Sequence, residues 1–281
     1  MRRALANLLD RPGGRAVLAH ATSAFAHHVT NDNSIGVKYD GMWIDVVDGV
    51  HIPRSPRHRY YTYDLERMRR FANERLDGSI DYWTFIYKPK DGDTILDIGA
   101  GVGVDAIALS RLVGATGRIH SVEAHPWTFS ALERTCTLNG LNNVTPYHCA
   151  ISDGVGEVWI ETLGNDEENS ISKQKTANHV IGVPAIDLDS FIERNNIGKI
   201  DMLKMNIEGA EELAIKGMPR SIGRVEHIAI ACHDFCEGHP GTKDIVRDFL
   251  QRSGFEIFER PEDPRPYVRD HLHGRRVNSL L

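Results

Sequence analysis

The sequence predicts an α/β fold: a mainly parallel sheet covered by helices on both faces, preceded by a smaller N-terminal appendage of helix and β-hairpin. Three observations carry this. From Lys90 onward, apolar runs of strand length alternate with segments of helical apolar spacing. The stretch Asp93 to Gly103 reads as a buried strand (Thr94 to Ile98), a tight turn at Gly99, Gly101 and Gly103, and a helix from Val104 to Val113. Polar residues recur where strands end, at Asp97, Glu123, Glu208 and His233-Asp234. In open sheets of this kind ligands bind beyond the carboxyl ends of the strands.

The first elements are less regular. Arg15 to about Val29 has the spacing of an amphipathic helix, with Val17, Leu18, Ala21, Phe25 and Ala26 on one face. Val37 to Val46 alternates about a central Asp40-Gly41, the mark of a β-hairpin. Asp64 to Leu76 reads as a charged helix with Leu65, Met68, Phe71, Ala72 and Leu76 inward. The aromatic group Tyr82, Trp83, Phe85 and Tyr87 is expected to pack against the domain that follows. The division is placed at residues 1–80 for the appendage, contributing to the acceptor site or to contacts between copies, and 81–281 for the main domain.

In the main domain a second strand runs from Arg118 to Glu123, and a helix from Pro126 to about Asn139 has proline at its first turn. Strands are expected at Val144 to Ile151, Glu157 to Thr162 and Val180 to Ile186, the last two flanking a polar loop, Gly164 to Asn178. A short helix (Asp187 to Arg194), a strand (Ile200 to Ile207), a helix (Ala210 to Lys216), a strand (Glu226 to Cys232) and a helix (Thr242 to Arg252) follow. Phe255 to Phe258 and Val277 to Leu280 are expected to complete the sheet.

Composition narrows the function. The 281 residues are 41% hydrophobic and 26% charged, ordinary for a globular protein. A net charge of −6 gives no basic footprint for nucleic acid, and the local group Arg54, Arg57, His58, Arg59 reads as a solvated loop face. No apolar run approaches the roughly eighteen residues that a membrane-spanning helix needs. Asp10, Arg11, Pro12 and Arg15 interrupt the early apolar run, which argues against a secretion signal. The 4 cysteines do not form a disulfide framework, so a reducing, cytoplasmic setting is expected. His233, Cys236 and His239 lack a second ligand pair with zinc-finger spacing, and no metal ligand is assigned.

The glycine turn is a nucleotide-cofactor site by construction, since it lets backbone approach a ligand and presents the free N–H groups of a helix start. Gly101-Val-Gly103-Val-Asp-Ala106 also fits the looser dinucleotide pattern. Asp97 decides against a dinucleotide: an acid two residues before the first glycine repels a pyrophosphate but suits a ligand carrying an ammonium and a sulfonium. That ligand is S-adenosylmethionine. Glu123, about twenty residues beyond Gly103, ends the next strand where a carboxylate can accept both ribose hydroxyls. Ala100, Ala150, Ile151 and Asn206 complete the cofactor-binding set expected with Asp97, Gly99, Gly101, Gly103 and Glu123.

For the chemistry, Glu208 sits beside a glycine at one strand mouth and His233-Asp234 at the next. A histidine of near-neutral pKa can take a proton from an acceptor hydroxyl, and Asp234 can orient it or help hold a divalent metal, whose need is left open. Glu211 reads as an acid in the first turn of a helix, favoured there by the dipole.

Asp97-Ile-Gly-Ala-Gly-Val-Gly, Val122-Glu-Ala-His-Pro126, Ile186-Asp-Leu-Asp189 and Leu203-Lys-Met-Asn-Ile-Glu-Gly-Ala-Glu211 together resemble the FkbM-type S-adenosylmethionine-dependent methyltransferases, over roughly Tyr82 to Phe258. The resemblance implies a Rossmann-like class I fold with a seven-stranded sheet, and methylation of hydroxyls on sugars, polyketides or other secondary metabolites. It also implies cofactor roles for Asp97, Gly99, Gly101 and Glu123, and an active-site role for the Glu208 segment. Where the family shows Lys-x-Asp-x-Glu-Gly, this chain has Asn206, an amide that keeps an acceptor oxygen but cannot act as a base. The expected activity is therefore O-methylation of a small hydroxylated acceptor, with His233, Glu208 and Asp234 as catalytic candidates. A non-catalytic cofactor-binding subunit, and methylation of nitrogen or of a macromolecule, are the alternatives; a homo-oligomer is left open.

Overall fold

The computed structural model describes residues 11–54, 65–161, 171–172, 180–234 and 241–277. Its centre is a sheet of seven strands in the order β13-β14-β12-β11-β4-β5-β6. These are β4 (Thr94–Ile98), β5 (Arg118–Glu123), β6 (Val144–His148), β11 (Ile200–Met205), β12 (Val225–Ala231), β13 (Phe255–Phe258) and β14 (His271–Arg276). The pairs from β12 to β6 are all parallel, and β14 runs antiparallel between β12 and β13. Leu96, Ile98, Leu203, Met205, Ile228 and Ile230 are buried on the sheet's central strands and join one core cluster. Strands buried on both faces explain the near-continuous apolar runs that mark them in the sequence.

Helices cover the sheet: α3 (Val104–Val113), α4 (Pro126–Leu138), α5 (Leu188–Arg194), α6 (Glu211–Lys216) and α7 (Lys243–Arg252), with a single turn, α8 (Pro266–Arg269), before β14. Asp187 caps α5 by accepting a hydrogen bond from Ser190 N at 2.7 Å.

Ahead of these lie α1 (Pro12–Thr30), the antiparallel strands β1 (Ile35–Tyr39), β2 (Trp43–Val47) and β3 (Val50–Pro53), and α2 (Leu65–Trp83). Ile35, Val37, Trp43, Val47 and Ile52 pack with Ala19, Ala26, Met68 and Ala72 against Val104 and Ile107 of α3. His51 N donates to the Asn139 side chain at 2.9 Å, and the Asn139 amide donates back to His51 O at 2.8 Å, tying β3 to the end of α4.

Several expectations are corrected. Of the expected inward face of α1, Ala26 is buried and Leu18 packs against the same cluster, joined by Ala19 and Thr22, while Val17 and Phe25 are 65% and 56% exposed. At its middle the helix lies close against β1: Ser23 Oγ donates to Val37 O at 2.9 Å and accepts from Val37 N at 2.8 Å. Phe71 of α2 also faces outward, under the guanidinium groups of Arg54 and Arg75. The helix expected to stop at Leu76 continues to Trp83, so the division at residues 80 and 81 cuts a single helix.

The strand expected at Val144 to Ile151 breaks at Cys149. Its second part, β7 (Ala150–Ser152), leaves the main sheet for a four-stranded one with β10 (Val180–Asp187), β8 (Gly156–Glu161) and β9 (Ile171–Ser172). The final strand is not at Val277, which is 58% exposed, but at His271–Arg276, where histidines and arginines hid it. Arg276 there stacks over Phe255 and donates to Val225 O. Arg57, His58, Arg59, Cys236, His239, residues 278–281 and all of the Gly164 to Asn178 loop except Ile171 and Ser172 lie outside the described residues. Arg54 pairs with the buried Asp45 at 2.5 Å. Among the described residues no helix is long and apolar enough to cross a membrane.

Candidate active site

The turn between β4 and α3 adopts left-handed backbone at Gly99 (φ 74), Gly101 (φ 57) and Gly103 (φ 90). The three glycines are needed for different reasons. A Cβ on Gly99 would stand 1.8 Å from the carbonyl oxygen of Asn206, and one on Gly103 2.9 Å from Leu132. A Cβ on Gly101 would meet nothing within 4 Å, so here the backbone is open to a ligand. Glu123, half-buried at the end of β5, accepts hydrogen bonds from Gly101 N at 3.0 Å and His125 N at 2.8 Å. The bonds pin its carboxylate beside the turn, and each oxygen keeps a second acceptor site for a hydroxyl. Burial pushes this carboxyl above its ordinary value.

Asp97 does not stand open at the rim. It is fully buried, 2.9 Å from the Lys204 ammonium, and accepts from Ser121 Oγ at 3.2 Å. Lys204, also fully buried, reaches Asp105 at 3.1 Å, donates to Gly99 O at 2.9 Å and lies 5.0 Å from the centre of the Trp83 ring. Burial alone would lower the Lys204 pKa, but the two carboxylates outweigh it and hold the ammonium protonated. The cation that Asp97 was expected to meet on a ligand is supplied by the chain itself. The sequence places Lys204 between Leu203 and Met205 in an apolar strand, but its carboxylate partners, Asp97 and Asp105, lie about a hundred positions away and only the fold brings them to it.

Ala150 and Ile151 place their side chains in core clusters on either side of β7. Asn206, half-buried, follows β11, and its N–H donates to Ile98 O at 2.9 Å, so the exit of β11 lies against the start of the glycine turn.

Two residues further on, Glu208 takes a left-handed conformation (φ 51), as does His233 (φ 56) beyond β12. Such backbone is uncommon for a glutamate and is held by its surroundings. His233 Nε2 lies 3.3 Å from Glu208 Oε2 and Nδ1 lies 3.0 Å from Glu211 Oε1, so both ring nitrogens face carboxylates. Glu211 is fully buried and also accepts from Thr242 Oγ1 at 3.1 Å and Gly209 N at 3.2 Å.

The His233 pKa is pushed up to about 9: burial opposes the charged form, and the hydrogen bonds to Glu208 and Glu211 outweigh it. At neutral pH His233 is thus an imidazolium with no site for another proton. This corrects its expected role as a near-neutral base. Asp234 is corrected too. It is exposed, and its Oδ1 accepts from Thr242 N at 2.7 Å and Lys243 N at 3.2 Å, capping α7 instead of orienting His233. That orientation comes from Glu211, which the sequence suggested only as a dipole-favoured acid.

The appendage meets the other flank. The β1–β2 turn and the start of α4 border an open pocket of about 450 Å³ lined by Asp40, Met42, Trp127, Ser130 and Arg134, which includes neither Glu208 nor His233.

A mostly parallel seven-stranded sheet in this order, with a glycine turn leaving the inner strand β4 and an acid ending its neighbour β5, defines a class I S-adenosylmethionine-dependent methyltransferase fold. The Methyltransferase FkbM domain matches residues 97–257, and the chain belongs to that family. A solved FkbM methyltransferase from Methylobacillus flagellatus KT has the same fold, with a TM-score of 0.51 and 19% identity over 70% of this chain and 47% of that one. The protein-L-isoaspartate O-methyltransferase of Fervidobacterium nodosum is 41% identical over only 20% of this chain and 28% of its own length. This chain therefore spans less than half of either protein. The hexuronic acid methyltransferase AglP of Haloferax volcanii is 22% identical over 79% of this chain and 86% of its own.

Proposed function

We propose that the protein is an S-adenosylmethionine-dependent O-methyltransferase that acts on a hydroxyl of a small molecule such as a sugar, a polyketide or another secondary metabolite, with Glu208 as the proton acceptor. The observation that carries this reading is the Glu208–His233–Glu211 cluster at the exit of β11, the strand whose next residue, Asn206, touches the glycine turn. The cofactor would be held by the turn at Gly99 to Gly103, open at Gly101, and by Glu123. When bound, it supplies a methyl group on a sulfonium, electrophilic enough for in-line transfer to oxygen.

The chain's part is to seat the acceptor and remove one proton. Glu208 is the partly exposed member of its cluster, with 21% of its side chain accessible, and can accept a hydrogen bond from an incoming hydroxyl. His233 donates to Glu208 and fixes its direction, while Glu211 and Thr242 fix His233. As the new C–O bond forms, the hydroxyl proton passes to the Glu208 carboxylate. A carboxylate acceptor would meet like charge at Glu208 and has no proton to give up, so the cluster favours a neutral hydroxyl.

Incubation with labelled cofactor and a panel of hydroxylated and carboxylated metabolites tests this. Methyl ethers are expected, and Glu208→Gln should slow transfer by about 10²- to 10⁴-fold while cofactor affinity holds. Methyl esters as the only products, or a Glu208→Gln enzyme of undiminished rate, would overturn it.

A further inference from the structure

The geometry points to Lys204 as a positioning residue for the cofactor turn: a single buried ammonium closes that turn at both ends, through the Gly99 carbonyl where it begins and through Asp105 just after it. The inference rests on the reading of this turn as the S-adenosylmethionine site.

Burying an ammonium and two acids carries a large desolvation cost, and packed apolar residues would hold a core at least as well. What an apolar residue cannot do is donate to Gly99 O, as Lys204 does at 2.9 Å. The same group pairs with Asp97 at 2.9 Å on the strand before the turn and with Asp105 at 3.1 Å in the first turn of α3. The ammonium thus donates a hydrogen bond to the Gly99 carbonyl and pairs by charge with two carboxylates, across the segment whose backbone faces the ligand.

Asp105 is itself held from α2, by Trp83 Nε1 at 3.1 Å and by Ser79 Oγ. Asn206, just past the strand that carries Lys204, leaves no room for a Cβ on Gly99. Gly99 is therefore gripped at its carbonyl and at its α-carbon by one strand, and the turn is kept in the shape that leaves Gly101 open.

Lys204→Met alone would strand the buried Asp97, so the test uses Asp97→Asn/Lys204→Met, which removes the pair and leaves Asp105 with its two α2 donors. Calorimetric titration with S-adenosylhomocysteine should show a Kd raised about ten- to a hundredfold, the worth of a charge-assisted hydrogen bond. In steady state the loss should fall on KM for the cofactor and not on kcat, a split that a purely structural role would not produce. A folded double variant with wild-type affinity overturns the inference.

If that variant does not fold, Asp105→Asn decides. It keeps the Gly99 bond but loosens its anchor, and is expected to raise Kd by a few-fold, with an unchanged Kd counting against the inference. Glu208→Gln, measured alongside, keeps the two readings apart: its failure to slow transfer overturns the assigned chemistry and leaves the role of Lys204 standing. Wild-type protein that ignores both S-adenosylhomocysteine and S-adenosylmethionine overturns the cofactor reading itself.

Discussion

Gly99 and Gly101 stand two residues apart with similar backbone, yet their substitution by alanine should have opposite consequences. At Gly99 the methyl group would overlap the Asn206 carbonyl, so Gly99→Ala is expected to destabilise the fold by several kcal/mol, about the scale of a severe core clash plus left-handed strain. At Gly101 the protein leaves room, so Gly101→Ala should lose only about 1 kcal/mol of stability to backbone strain but most of its cofactor affinity. Thermal melts paired with calorimetric titration separate the two, and equal loss of stability would refute the distinction. The sequence made the turn legible because glycine adopts such backbone without the strain that other residues incur there. It hid the difference between the glycines because that depends on Asn206, more than a hundred positions away.

At the scale of elements, the boundary between β12 and α7 shows why Asp234 misleads. It follows a buried strand and a histidine, as an active-site acid would, but its carboxylate satisfies the first N–H groups of a ten-residue helix. Asp234→Ala should cost about 1 kcal/mol by chemical denaturation, as other cap losses do, and leave transfer intact. A fall in kcat without a fall in stability would restore it to the chemistry.

Glu211 is the converse case. It occupies the first turn of α6, where acids are common, and only the fold reveals that it lies against His233. The last strand shows a similar limit. Its alternating His271 and His273 face Trp83 and Phe85, so residues of polar type serve as core. Strands β4, β11 and β12 were legible from largely apolar runs, since both their faces are covered.

For the whole molecule, three buried histidines, His233, His271 and His273, contribute strongly to the dependence of stability on pH. Burial lowers His271 to about 3 and His273 to about 4, and neither ring nitrogen of His273 has a hydrogen-bond partner among the described residues. Below the ordinary imidazole value of 6.5 the unfolded chain takes up protons that the folded one refuses. Stability should therefore fall as pH drops from 6.5 towards 4, by about 1.4 kcal/mol per unit for each group.

His233 acts in the opposite direction. Its folded value near 9 gives a stabilisation complete below 6.5 and lost as pH rises through 9. Urea midpoints plotted against pH should peak between these limits, and His273→Leu should flatten the acid limb without altering the alkaline one. An unchanged acid limb in that variant would show that His273 is not the titrating group.

The close approach of the Asn206 carbonyl to Gly99 has a consequence for any redesign of this methyltransferase fold. On the function proposed above, the donor's cradle and the acceptor's base are not separate modules, because the strand exit that presents Glu208 is the wall against which the glycine turn is moulded. Exchanging acceptor specificity by grafting a different segment after Met205 would deform the seat of the methyl donor as well. New acceptor preferences are better sought in side chains beyond Glu208 than in the backbone that leads to it.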